Sequence, residues 1–258
     1  MTEIVTPSRG LARIGVVVPV SNTNLEPDMA MLAPAGVSIH VARSGGYDVE
    51  SIPDENQMRQ YSNSATDEPV ESLRLCRADV ILYGCTSATL AQGPEYDARF
   101  REHIEKVTGI PAITAASALT DAIIDLNISR FAFTSPYVRT LNDLAVSFIE
   151  SCGMRCVGRV DTPEPFSNLD IANASPASII AMAEKANTPD AEVIVISCTD
   201  FRAVEAVQEI ERRIKKPVVT SNQAMMVWAL KRLRLDCSTS LLGQHLVSSC
   251  AKKAAASV

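Results

Sequence analysis

The sequence predicts an α/β protein made of two pseudo-symmetric, doubly wound lobes, with parallel sheets and an active-site cleft between the lobes. Two observations lead to this prediction. Short, almost continuously apolar segments such as Val80–Tyr83 and Val193–Ile196 alternate with longer amphipathic segments, as expected for parallel strands covered by helices on both faces. Several landmarks also occur twice and in the same order, which indicates an internal duplication.

The internal repeat consists of three pairs of similar segments. The pairs are Arg13–Pro19 with Arg130–Pro136, Ala78–Thr86 with Ala191–Thr199, and Ile110–Thr114 with Lys216–Thr220. A repeat this long predicts two lobes and not a solenoid of short repeats. We expect the first lobe to comprise residues 1–115 and 221–258 and the second to comprise residues 116–220, with connections near residues 114–118 and 220–224.

Each half is predicted to contain four strands and four helices. In the first half, we expect strands at residues 13–18, 37–42, 79–84 and 111–114, and helices at residues 23–33, 54–75, 94–108 and 115–126. In the second half, we expect strands at residues 130–134, 155–161, 192–197 and 217–220, and helices at residues 137–152, 175–187, 200–215 and 221–234. Right-handed crossovers would then place the carboxyl ends of both sheets at one shared cleft.

Composition excludes several classes of partner. The chain has 258 residues, of which 47% are hydrophobic, and its formal net charge is −6. It contains no long basic run, which argues against nucleic acid or an anionic membrane as the main partner. No segment approaches the ~20 apolar residues of a membrane-spanning helix, and the first residues lack the pattern of a signal peptide. The sequence therefore predicts a cytoplasmic protein, and its odd number of cysteines, seven, predicts reduced thiols.

Motifs that hold nucleotides or metals are missing from the sequence. There is no phosphate-binding loop of the P-loop type, no G-x-G-x-x-G after a strand and no H-E-x-x-H. Cys152 and Cys156 form a C-x3-C pair, but a zinc site would need two further ligands nearby. The sequence therefore gives no indication of a nucleotide or metal site, and we interpret this pair as thiols near a helix end.

Two cysteines, Cys85 and Cys198, occupy equivalent places at the ends of apolar strands, each followed by a threonine. A thiol at a helix N-terminus is expected to have a lowered pKa, which would make a thiolate accessible near neutral pH. Such a pair could pass protons across a bound ligand, or one thiolate could attack an electrophilic carbon. The structural alternative is that both are small core residues.

Polar residues near the same strand ends are candidate substrate ligands. The loop after the first strand offers Ser21 and Asn22, which could bind a carboxylate or simply cap the next helix. Other candidates are the hydroxyl groups beside the cysteines, the phenol in the second copy of this loop, and an amide after the second strand of the second half: Thr86, Ser87, Thr199, Tyr137 and Asn168. Tyr137 could instead pack between the lobes, and Asn168 could be a turn residue.

These segments together resemble the aspartate/glutamate racemase superfamily, and within it the maleate isomerase and arylmalonate decarboxylase branch. The most specific part is Pro19–Glu26, which looks like the Pro-Ser-Ser-Asn-Thr-Thr-x-Glu segment of maleate isomerases; Ser135–Tyr137 and Pro94–Asp97 add to it. The resemblance implies two lobes, no cofactor and a homodimer. It implies that Cys85 is the nucleophile and Cys198 the acid/base partner, and that the substrate carboxylates are held by Asn22, Tyr137 and Asn168.

The resemblance favours a cofactor-independent isomerase for a small dicarboxylate, with maleate to fumarate as the first choice. A racemase that uses both cysteines as bases, acting on aspartate, glutamate or a hydantoin, is the main alternative. Arylmalonate-type decarboxylation is a lesser alternative, because those relatives carry only the second cysteine. A two-lobed binding protein without catalysis is the last, and two matched thiols argue against it.

Overall fold

Two parallel four-stranded sheets form the framework of the protein. The computed structural model describes residues 9–45, 67–237 and 240–248. The first sheet has the order β2-β1-β3-β4 and the second has the order β6-β5-β7-β8, with every pairing parallel. The strands are β1 Arg9–Pro19, β2 Gly36–Ser44, β3 Val80–Tyr83, β4 Ala112–Thr114, β5 Arg130–Thr134, β6 Arg155–Val160, β7 Val193–Ile196 and β8 Val218–Thr220. The predicted fold class is confirmed.

Ten α-helices lie between residues 25 and 232 in the described part of the chain, and most of them cover the sheets; residues 244–248 are helical as well. The ten are α1 Leu25–Leu32, α2 Asp67–Leu75, α3 Thr86–Leu90, α4 Pro94–Thr108, α5 Ala115–Asp125, α6 Arg139–Ser151, α7 Asn168–Ala172, α8 Pro176–Ala186, α9 Val207–Ile214 and α10 Ser221–Arg232. Of the helix predicted at residues 54–75, residues 54–66 lie outside the described residues.

Three short features of the helical structure differ from the prediction, and all three adjoin the cleft. The helices α3 and α7 were not expected. The helix predicted from residue 200 begins only at Val204, as a 3-10 turn that leads into α9. Residues 199–203 are not helical because Thr199 and Asp200 are engaged by the other lobe, as described below.

The duplication is visible in the hydrogen bonds as well as in the strand order. In the first half, Glu105 accepts a hydrogen bond from the backbone N–H of Ala112 over 3.0 Å. In the second half, Glu211 accepts the matching bond from the N–H of Val218 over 3.3 Å. In both cases a glutamate of the preceding helix fixes the last strand of its sheet, so the two halves share tertiary contacts and not only a pattern of strands.

The core runs from one sheet to the other through two helices. All residues of β3 and β7 are buried, and the largest apolar cluster contains side chains from both sheets. Helices α5 and α10 pack against each other, and α10, which follows the second sheet, also contacts β3 and β4 of the first. The division in which residues 221–258 belong to the first lobe and residues 116–220 form the second stays a prediction.

Candidate active site between the two lobes

Cys85 stands at the carboxyl end of β3, where the backbone path is tightly constrained. It occupies the N-cap position of α3 and is 7% exposed. A Cβ atom on the preceding Gly84 would lie 2.2 Å from the Leu25 side chain and 2.7 Å from the Val17 carbonyl oxygen. Only glycine fits such a close approach. The chain therefore passes over β1 and α1 before it presents the thiol.

Cys198 occupies the matching place after β7 and is 4% exposed. The phenol oxygen of Tyr137 lies 3.3 Å from its Sγ atom. Tyr137 is in turn held by two neighbours: its N–H donates to Ser135 Oγ over 3.1 Å, and Asn142 Nδ2 donates to its carbonyl oxygen over 2.9 Å. The loop after β5 thus presents a fixed phenol to the second cysteine.

The two cysteines converge on the phenol of Tyr137. Its pKa responds to the charges of Cys198 and of Cys85, and the phenol also hydrogen-bonds with Ser87. Ser87 Oγ lies 3.9 Å from Cys85 Sγ. The ends of β3, β5 and β7 therefore bring two thiols, a phenol and a hydroxyl into one buried site. Burial raises the pKa of Tyr137 well above its ordinary value, so this phenol remains a hydrogen-bond donor.

The expectation of lowered thiol pKa values is wrong in sign. Burial raises the pKa of Cys85 to about 11 and that of Cys198 to about 12. The favourable helix N-terminus is present, because the Ala88 N–H and the Ser87 hydroxyl both favour the Cys85 thiolate. Loss of water outweighs these bonds, since a dehydrated charge loses far more solvation than two donors restore.

The two thiols are nonetheless unequal. The carboxylate of Asp200 raises the pKa of Cys198, whereas Tyr137 and the Asp200 N–H lower it. No carboxylate among the described residues contributes to the shift at Cys85. A negative charge on either sulfur also opposes ionisation of the other. Of the two thiols, Cys85 is therefore the one that ionises more readily, although burial keeps both protonated near neutral pH.

Asn22 joins the first lobe to the cysteine loop of the second. It is 3% exposed, and its Nδ2 donates to Thr199 Oγ1 over 3.0 Å. The Thr199 hydroxyl in turn donates to the Gly84 carbonyl oxygen over 2.8 Å, so the loops of both cysteines are linked. The Oδ1 atom of Asn22 accepts the N–H groups of Asn24 and Leu25 at the start of α1. Asn22 is therefore both a helix cap and part of the site, and its Nδ2 retains a second hydrogen for a ligand.

The other sequence-predicted ligands have different surroundings. The Thr86 hydroxyl donates to Ser221 Oγ over 3.1 Å, which ties α3 to the start of α10. Ser21 lies half-buried in the turn between β1 and α1. Asn168 lies half-buried at the first position of α7. As substrate ligands these three residues stay predictions.

Sequence reasoning missed a group of polar residues behind the cysteine loop. Burial raises the pKa of Asp28 to about 7 and that of Asp200 to about 6. Asn222 Nδ2 donates to Asp28 Oδ2 over 2.7 Å and to the Thr199 carbonyl oxygen over 3.0 Å. The one available signal was a difference between the copies: the second residue after the cysteine is Ser87 in the first and Asp200 in the second.

In the described ranges, no three or more histidine, cysteine, aspartate or glutamate side chains are grouped so that they could bind a metal ion. No helix within those ranges has the length and apolar character needed to cross a membrane.

Comparisons with known proteins agree with this geometry. The family described as arylmalonate decarboxylase matches residues 14–246. Maleate isomerase from Pseudomonas putida KT2440 is 28% identical over 238 residues, which cover 88% of this chain and 93% of that protein. Arylmalonate decarboxylase from Bordetella bronchiseptica is 26% identical over 228 residues, which cover 86% and 85%.

A solved structure of a relative has a similar fold. It is a cysteine-to-alanine variant of the maleate isomerase Iso from Pseudomonas putida S16 with maleate, 25% identical, with a TM-score of 0.84 and coverage of 92% of this chain and 97% of that one. The family match spans nearly the whole of both sheets and the cleft between them. The chain therefore belongs to the arylmalonate decarboxylase family.

Proposed function

We propose that this protein is a cofactor-independent cis-trans isomerase that converts maleate into fumarate. The observation that carries the proposal is the convergence of Cys85 and Cys198 on the phenol of Tyr137 in one buried site. Four of the curated relatives that match along most of the chain are maleate isomerases, and the Pseudomonas putida S16 isomerase was solved with maleate. A binding protein would not need both thiols.

The reaction uses one thiolate and one thiol. The Cys85 thiolate forms a bond to one alkene carbon, while the Cys198 thiol gives its proton to the neighbouring carbon and becomes a thiolate. The carbon–carbon bond is now single and rotates. Cys198 then removes a proton from that carbon, the Cys85–carbon bond breaks, and the trans alkene leaves. Protons and electrons balance over the cycle, so the reaction requires no oxidant or reductant.

The inequality of the two thiols suits these roles. Burial above all, and the Asp200 carboxylate to a lesser extent, keeps the proton on Cys198, the thiol that must donate first. Once Cys85 is bound to carbon, it no longer carries a charge that opposes ionisation of Cys198. Donors at the substrate carboxylates are proposed to be Asn22 Nδ2, the Tyr137 phenol, Ser87 and Asn168, which would stabilise the negative charge that develops when sulfur adds.

A homodimer and a cytoplasmic location are proposed with this function. The six described cysteines are all free, which supports a reducing compartment. The dimer rests on the resemblance to isomerases and is tested by light scattering of the purified protein.

Incubation with maleate in deuterated water, followed by NMR, tests the function. We expect a growing fumarate signal from maleate. In a parallel incubation with aspartate, we expect no exchange of its alpha proton. Alpha exchange on aspartate without fumarate formation would instead establish the racemase, in which both cysteines act as bases.

Replacement of Tyr137 by phenylalanine is expected to weaken turnover. The change removes the phenol 3.3 Å from Cys198 Sγ and a donor to the substrate, while it leaves the ring in place. The loss should raise the activation barrier by ~1.5–3 kcal/mol, as for a hydrogen bond to a charged group. Steady-state kinetics on maleate measures it, and unchanged kinetic constants would mean that the phenol takes no part in the reaction.

A further inference from the structure

We propose that Asp200 is a positioning residue, which caps the first helix of the opposite lobe and thereby holds the substrate-binding loop of residues 20–24 on the second cysteine loop. The kinetic part of this proposal rests on the proposed isomerase function. Its structural part does not, and the experiment below separates the two.

The proposed clasp consists of four hydrogen bonds that all pass between the lobes. Asp200 Oδ1 accepts the backbone N–H of Thr23 over 2.8 Å and that of Asn24 over 3.0 Å. The side chain of Asn24 makes the other two bonds. Its Nδ2 donates to the carbonyl oxygen of Asp200 over 2.8 Å and to that of Ala172 over 3.0 Å. Because Ala172 is the last residue of α7, Asn24 also fixes the end of the helix that begins with Asn168.

The clasp satisfies a need of helix α1. The first N–H groups of a helix have no partner within it, and a side chain at the N-cap usually accepts one of them. The N-cap of α1 is Asn24, and its side chain makes no such bond. Asn22 accepts from Asn24 and Leu25 within the loop, and Asp200 accepts from Thr23 and Asn24 across the cleft. The cap of this helix is thus supplied partly by the other lobe.

The pseudo-symmetry of the chain shows that this carboxylate has a special role. The equivalent residue of the first copy is Ser87, which lies beside Cys85 and hydrogen-bonds with Tyr137. In each cysteine loop, therefore, the second residue after the cysteine contacts a loop of the opposite lobe. Ser87 contacts the loop of Tyr137, and Asp200 contacts the loop of residues 20–24. Only the second loop uses a charged group, and one of the two N–H groups that it binds, that of Asn24, also donates to the Asn22 side chain.

The clasp is sensitive to pH because its acceptor, the buried Asp200 carboxyl group, is itself titratable, and its hydrogen bonds with Thr23 and Asn24 lower the pKa that burial raises. Arg43 on β2 lowers its pKa, and Asp28 on α1 and Cys198 on its own loop also face it; Glu205 and Arg202 act on Asp28. Burial dominates and raises the pKa of Asp200 to about 6. The carboxylate is therefore ionised above about pH 6, where it binds the two N–H groups most strongly, and is protonated below.

Hydrogen–deuterium exchange of a peptide that covers residues 20–26 tests the structural part of the proposal. We compare the parent with Asp200→Ala, Asp200→Asn and the matched control Asp190→Asn, whose side chain is exposed in the same lobe. Exchange of this peptide should be about 10-fold faster in Asp200→Ala than in the parent at pH 8, and unchanged in Asp190→Asn. After correction for intrinsic rates, the parent should lose protection below about pH 6, whereas Asp200→Asn should show no such step.

The kinetic part is measured on the same variants with maleate at pH 8. In Asp200→Asn, which keeps an acceptor oxygen and should fold, KM should rise about 3- to 10-fold with a smaller change in kcat, because the loop that binds the carboxylate is loosened. Unchanged exchange in both Asp200 variants would overturn the clasp, whatever the turnover. Lost protection with unchanged KM would overturn the positioning role. If the parent itself does not turn over maleate, the isomerase proposal fails while exchange still decides the clasp.

Discussion

Replacement of Cys85 by serine is expected to lower the rate of maleate isomerisation by a factor on the order of 1,000 or more. The hydroxyl that replaces the thiol is a much weaker nucleophile and, in the same buried site, ionises with still greater difficulty. Burial would disfavour its charged form, and the Ala88 N–H and the Ser87 hydroxyl cannot compensate. The loss should appear in kcat, because the nucleophile acts in the chemical step.

Steady-state rates of fumarate formation measure this effect. Cys76→Ser is the matched control, since Cys76 is an exposed free thiol of the same lobe at the end of α2, and this variant should keep the parent rate. Full activity of Cys85→Ser would contradict the nucleophile assignment and leave Cys198 as the only candidate. Circular dichroism of both variants excludes unfolding as the cause of a loss.

Replacement of Asp28 by asparagine is expected to stabilise the protein at pH 8 by roughly 2–4 kcal/mol and to change its stability little at pH 4. Asp28 is 2% exposed, and burial raises its pKa from 3.8 to about 7. Between these two values the unfolded chain loses its proton while the folded chain retains it. The contribution of Asp28 to stability is therefore fully present below about pH 4 and is lost as the pH rises to about 7.

The asparagine variant removes this dependence and preserves the local geometry. Its side-chain oxygen can still accept the hydrogen bond that Asn222 Nδ2 donates to Asp28 over 2.7 Å. Urea unfolding at pH 4 and pH 8 gives the free energies, and the exposed Asp190→Asn variant should show no difference from the parent at either pH. A difference that is equal at the two pH values, or a loss of stability at pH 8, would contradict the assignment of a strongly raised pKa.

The side-chain amide of Asn222 connects Asp28 to the loop that carries Cys198. Asn222 binds both Asp28 and the carbonyl oxygen of Thr199, the residue after Cys198. The helix that carries Asp28 is the one whose N-terminus Asp200 caps. Asp28 and Asp200 are thus two buried carboxyl groups near the same loop, and burial raises the pKa of each because ionisation there is costly.

Local pattern was enough to predict most of the framework. The apolar runs Val80–Tyr83 and Val193–Ile196 became fully buried central strands, because continuous hydrophobicity suits a strand covered on both faces. The repeated landmarks predicted two pseudo-symmetric lobes with parallel sheets, and the structure has two four-stranded parallel sheets with equivalent strand orders. The equivalent thiols Cys85 and Cys198 were recognisable because strand ends of parallel sheets can be located from the sequence.

The sequence by itself thus determined the fold class, the duplication and the identity of the two cysteines. Only the tertiary structure decided how these groups behave. Burial raised the thiol pKa values that helix position alone was expected to lower, and contacts between segments distant in the chain gave Asp200 and Asp28 their roles. The physical reason is that dehydration and pairing depend on which groups the packed lobes bring together, and these partners lie more than 170 residues apart in the chain.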